Sequence, residues 1–156
     1  MEISLKWVKP ALLRDGKKDK LIYTCDLDDV PDEPGIYVFC RKHGDSVEAL
    51  YVGQAENIRK RIEQQLNSVE LMMGLKQSDT GSRLMLIGVL ETKRGQRQDR
   101  VLDIVEDAYI RHALGLGHAL LNKKGIRAIP VHKIECNGSR DYRGPFPPNM
   151  IVEAKL

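Results

Sequence analysis

Apolar positions along the chain change period several times, and each change marks an element. Gly35 to Phe39 (Gly-Ile-Tyr-Val-Phe) is a β-branched and aromatic run, and Ala49 to Val52 is a second. A polar stretch with a His-Gly-Asp turn separates them, so the pair predicts a β-hairpin that Gly53 should end. From Ala55 onwards Ile58, Ile62 and Leu66 recur every four residues, the apolar line of an amphipathic helix. Residues 69–76 predict one or two further helical turns, 78–82 a loop, and Leu84 to Leu90 a buried strand. Val101, Ile104, Val105 and Ala108 place an apolar face on what should be the longest helix, with Asp99 as the expected N-cap and Gly115 and Gly117 as its stop.

The flanks are less regular. The first 34 residues mix an apolar run, Trp7 to Leu13, with a charged turn and an acidic stretch that ends in Pro31-Asp-Glu-Pro34. Neither proline can continue a helix or donate to a sheet ladder, so regular structure should begin after them. Beyond Asn122 the chain turns basic, predicts one strand around Ile129 to Ile134, and reaches a Pro-rich stretch at Pro145 to Pro148.

The chain has 156 residues, the natural size of one core, with 42 % apolar and 30 % charged residues, which excludes a wholly disordered chain. The net charge of +3 is too small to announce a nucleic-acid binder, but its distribution is uneven: residues 122–143 carry six basic and two acidic side chains. Cys25, Cys40 and Cys136 are odd in number and widely spaced, which argues against a disulfide framework or a structural zinc site. Charges and a proline within the first ten residues exclude an unbroken secretory apolar run, and no stretch approaches membrane-spanning length. The expected setting is cytoplasmic, with reduced thiols and no membrane partner.

One segment carries candidate chemistry. Gly35-Ile36-Tyr37 is followed by Tyr51-Val52-Gly53, then by Asn57 and the triplet Arg59-Lys60-Arg61, and much later by Glu106 in a Glu-x-x-x-Ile context. Two tyrosines on paired strands can share a face, and a helix that starts just beyond them offers free N–H groups to a phosphate. These residues resemble the GIY-YIG nuclease superfamily over roughly residues 35–122. The resemblance implies that Tyr37, Tyr51, Arg61 and Glu106 are catalytic, that Glu106 holds Mg²⁺ or Mn²⁺, and that Gly35, Gly53, Asn57 and Asn122 complete the motif. It further implies an α/β fold of α+β type: a small, mainly antiparallel sheet of three to five strands flanked by helices. The expected organisation is an N-terminal extension over 1–34, the nuclease-like domain over 35–122, and a basic C-terminal extension over 123–156 packed on the same domain.

The residue chemistry fits that expectation. Phosphodiester hydrolysis needs phosphate charge neutralised, a water activated and the transition-state charge stabilised. A single carboxylate suits a hard divalent cation that keeps its waters, and the planar, permanently charged guanidinium of Arg61 suits phosphoryl oxygens better than an ammonium. Tyr37 or Tyr51 would orient or deprotonate the water, since Gln54 and Gln65 stand where the family often has a basic residue and a His or Tyr, and neither glutamine can act as a base. Arg59, Lys60, Lys123, Lys124 and Arg127 are the candidate nucleic-acid contacts. Asp103, one helical turn from Glu106, is a candidate to orient it or to supply a second ligand. Plainer readings stand beside these: strand aromatics in a core, a solvated basic helix face, a buried ion pair for Glu106, a helix-ending Asn122, and packing roles for His112 and His118.

The expected function is therefore a divalent-metal-dependent endonuclease acting on DNA, of a stand-alone phage, mobile-element or restriction type. The alternative is a non-catalytic nucleic-acid-binding module that keeps the fold. A homodimer is one way for so short an enzyme to cut both strands, and nothing recognisable in the sequence reads the RNA 2′-hydroxyl.

Overall fold

The computed structural model describes residues 1–122 and 131–153. Its strands are β1 (Glu2–Leu12), β2 (Arg14–Asp15), β3 (Tyr23–Thr24), β4 (Gly35–His43), β5 (Ser46–Ala55), β6 (Ser82–Glu91), β7 (Val131–Asn137) and β8 (Asn149–Glu153). Its helices are α1 (Ile58–Leu66), α2 (Val69–Gln77) and α3 (Gln98–Gly115). Six strands form one sheet in the order β5-β4-β6-β1-β7-β8, and β2 pairs with β3 apart from it. All pairs are antiparallel except β1 with β7. The α+β class is as expected, but the sheet has six strands rather than three to five.

The extra width comes from the chain outside 35–122. β1, within the segment expected to be an N-terminal extension, lies between β6 and β7, and Ile3, Leu5 and Trp7 on its alternate positions are almost wholly buried. Strict alternation of apolar and polar side chains from Ile3 to Trp7 gives one buried face. At Pro10 the register with β6 shifts between Val8 and Ala11, as it must where a residue has no N–H to donate. β7 and β8 extend the sheet on the other side of β1, so the C-terminal segment shares the same architecture.

Helices cover both faces of the sheet. α3 packs with Ile36, Val38, Val52, Leu86 and Trp7 in one core cluster, and α1 and α2 pack with Tyr37, Phe39, Met85 and Ile87 in the other. The period-2 alternation of β4 divides its side chains between these two cores. Ile58, Ile62 and Leu66 are all buried, as their spacing predicts. α1 starts at the Asn57 cap, whose side chain accepts from the Lys60 N–H at 3.1 Å, and Ser68 caps α2 in the same way. α3 departs from expectation: Arg97 occupies its N-cap without a side-chain bond, and Asp99 lies inside the first turn, where its charge suits the helix dipole.

Two further differences are local. Strand β5 runs through Gly53 to Ala55 rather than ending at the glycine. Arg83, 6 % exposed, donates to the carbonyls of Leu75, Ser78, Asp79 and Gly81 and so fixes the connection from α2 into β6. Among the described residues no helix is long and apolar enough to cross a membrane.

Candidate active site

Tyr37 and Gly53 are cross-strand partners in the β4–β5 hairpin. A β-carbon on residue 53 would stand 2.3 Å from Tyr37 Cζ, so only glycine lets the ring lie flat over β5. Gly35 is equally constrained, because a β-carbon there would meet the Gly88 carbonyl oxygen at 2.1 Å. Tyr51 stacks beside Tyr37 with ring centroids 6.3 Å apart and planes 21° from parallel.

The Tyr37 ring is 1 % exposed, and its hydroxyl accepts a bond from Gln65 Nε2 at 3.0 Å. Burial pushes the phenol well above its ordinary value; the Gln65 bond and the Arg61 charge oppose that shift, while Tyr51 and Glu106 add to it. Tyr37 therefore keeps its proton at neutral pH.

Helix α1 supplies the cations. Lys60 and Arg61 are exposed and line a cleft of about 530 Å³. Arg59, one residue earlier, turns away: its Nε donates to the Val30 carbonyl at 2.8 Å and ties the acidic loop to the helix. Consecutive helical residues point about 100° apart, so the three members of the basic triplet cannot share one role. Asn57, besides capping α1, donates to Asp32 and lines the cleft.

Helix α3 supplies the carboxylate. Glu106 is 6 % exposed and reaches the same cleft, which Tyr37, Tyr51, Gln54, Glu56 and Gln64 also line. Asp103, one helical turn before it, accepts a bond from Gln54 of β5, tying α3 to the strand at the rim. The cleft lies along β5, the edge strand, where α1 and α3 both make contact with the hairpin. The four residues expected to be catalytic thus meet in one place. Glu56 joins them there; beyond its place just before the Asn57 cap, the sequence gives no signal for it.

The oxygens in this cleft, carboxylates from Glu56 and Glu106 and phenol hydroxyls from Tyr37 and Tyr51, are hard donors of the kind Mg²⁺ and Mn²⁺ accept. A lone buried carboxylate leaves most of such an ion's positions to water and substrate oxygens, so the residues present fit it. Among the described residues no group of three or more His, Cys, Asp or Glu side chains could hold a metal by itself.

Other candidate residues lie elsewhere. Asn122 accepts from the Val52 N–H at 3.1 Å and donates to the Val52 carbonyl at 2.6 Å, pairing with the edge of β5 as another strand would. Beside it the Leu121 N–H donates to the Leu50 carbonyl, and His118 Nδ1 accepts from the Ala49 N–H at 3.0 Å. The segment 118–122 thus covers an edge strand. His112 packs near the Phe146 ring. Lys123, Lys124 and Arg127 lie outside the described residues. Comparison of the chain with known protein families, with characterised proteins and with solved structures found no match.

Proposed function

We propose that this chain is a divalent-metal-dependent endonuclease that hydrolyses DNA phosphodiester bonds at the β5 cleft. The observation that carries the reading is the meeting of Tyr37, Tyr51, Arg61 and Glu106, contributed by two strands and two helices, around one polar cleft. In this reading Arg61 holds the non-bridging phosphate oxygens and stabilises the charge that grows on them. Tyr37, fixed by Gln65 and Gly53, orients the attacking water through its hydroxyl. Tyr51, stacked beside Tyr37 in the same cleft, would help hold that water by hydrogen bonding. Glu106 would hold the divalent cation, which when bound neutralises phosphate charge and makes the water more acidic.

The test is incubation with supercoiled plasmid in Mg²⁺ and in Mn²⁺, with EDTA, Glu106→Gln and Arg61→Ala as controls. Cleavage that disappears in all three controls is expected; full activity in either variant would refute the reading. Nicked against linear product reports whether one active site acts or two act together.

A second reading is a non-catalytic nucleic-acid-binding module on the same fold. The specific observation in its favour is that both glutamines are engaged, Gln65 with Tyr37 and Gln54 with Asp103. It predicts salt-sensitive DNA binding with no metal-dependent cleavage.

A further inference from the structure

The charges around the cleft form a pattern that the motif residues do not account for. Glu56 and Glu106 line the cleft, Asp103 is bonded to Gln54 of the lining, and the exposed cations Lys60 and Arg61 line it beside them. Lys60 and Arg61 belong to α1. Outside the lining, the connection from β6 into α3 carries Lys93, Arg94, Arg97 and Arg100 within eight residues.

Sheet register puts both groups at one end of the sheet, although Lys93 and Gln96 bond Glu2 and hold the β6–α3 connection towards β1. Gly35, the first residue of β4, pairs with Ala55 of β5 on one side and Val89 of β6 on the other. The chain leaves β5 for α1 and leaves β6 for α3 at the same end of the sheet, two strand spacings or about 10 Å apart. The Gln54–Asp103 bond then draws the second turn of α3 to the cleft rim. Arg100 precedes Asp103 by three residues on that helix, so it continues the same ridge outward.

The four cations of this connection are not equivalent. Lys93 pairs with Glu2, and Arg97 pairs with Asp99 at 2.8 Å. Among the described residues Arg94 and Arg100 are exposed and form no salt bridge, as is also true of Lys60 and Arg61. An arginine held in an ion pair must give up its partner before it meets a phosphate, whereas these four need not.

We infer that Arg94 and Arg100, on the β6–α3 connection, are the far wall of a DNA-backbone track whose near wall is Lys60 and Arg61, so that the duplex crosses the cleft from α1 to α3. This rests on the nucleic-acid reading of the cleft and extends it to a surface outside the motif. The carboxylates lie midway along the track, under the phosphate that the flanking cations hold.

The test is fluorescence anisotropy of a labelled DNA duplex in EDTA, over a salt series, with wild type, Arg94→Gln/Arg100→Gln, and Lys17→Gln/Lys18→Gln. Each phosphate contact adds roughly 0.9 to the slope of log affinity against log salt. The Arg94/Arg100 variant should lose about 1.8 from that slope, and the Lys17/Lys18 variant, altered on the turn between β2 and β3, should keep all of it. An Arg94/Arg100 variant with wild-type slope and affinity would overturn the track, as would a wild type with no salt-dependent binding. A lost slope without plasmid cleavage leaves the track standing and removes the nuclease reading. Plasmid cleavage with an unchanged slope does the reverse.

Discussion

Tyr37 and Gly53 face each other across the β4–β5 hairpin so closely that a β-carbon at position 53 would stand 2.3 Å from the tyrosine ring. The ring is buried and backed by Phe39 in an edge-to-face contact at 5.6 Å, so it has little room to retreat. Gly53→Ala should therefore destabilise the protein by about 1–3 kcal/mol, the usual cost of overpacking. Urea denaturation reads this directly. In a Tyr37→Leu background the same alanine should cost clearly less, since the two residues share one space.

Alkaline pH should weaken the fold through the buried phenols. Burial raises Tyr37 and Tyr109 above the ordinary value of 10.0. Above about pH 10 the unfolded chain loses those protons while the native state keeps them, so stability falls as pH rises from there. Tyr37→Phe should flatten this loss in urea midpoints measured between about pH 8 and 11. It should also cost about 1 kcal/mol at neutral pH, because Gln65 loses its acceptor.

Asn122 should matter to stability before it matters to any reaction. Asn122→Ala removes both bonds to Val52 and should cost about 1–2 kcal/mol, with faster amide exchange at Val52. Asn122→Asp should not rescue it, since a carboxylate can accept the Val52 N–H but sets a second oxygen against the Val52 carbonyl.

Arg83 should be among the most sensitive charged positions. Arg83→Met leaves the carbonyls of Leu75, Ser78, Asp79 and Gly81 without their donor and should cost about 3 kcal/mol in urea denaturation. Arg83→Lys should recover little, because one ammonium cannot span the positions a guanidinium fork reaches.

If the cleft is a nuclease site, Arg61→Lys separates charge from shape. Binding to duplex DNA should keep its salt slope, because the charge remains. Cleavage rate should fall by roughly 10²-fold, the loss typical when a donor aimed at transition-state charge is removed.

Local periodicity made the hairpin and the α1, α2 and α3 helices legible, because Ile58, Ile62 and Leu66, or Val101, Ile104 and Val105, announce a face within a few residues. The order of the motif residues likewise made it legible that Tyr37, Tyr51, Arg61 and Glu106 belong together. Partnerships formed over long sequence distances were not. Nothing near Gln65 signals Tyr37, and nothing near Asn122 signals Val52. Arg59 shows the limit within a single helix: composition groups it with Lys60 and Arg61, while helical rotation sends it to Val30. The alternation of Ile3, Leu5 and Trp7 was a readable strand signal, obscured by the lysines and the proline that follow.

The interior position of β1 also sets an order in time. Leu5 pairs with Leu90 on one side and with Cys136 on the other, so β1 stays without these neighbours until β6 and β7 are made. The β4–β5 hairpin can close early, whereas the centre of the sheet forms only by joining distant parts of the chain, which is slow. Until then β6 presents an open edge that another nascent chain could pair with. A fragment limited to residues 35–122 would hold that exposed edge permanently and should aggregate, although it contains every residue proposed for catalysis.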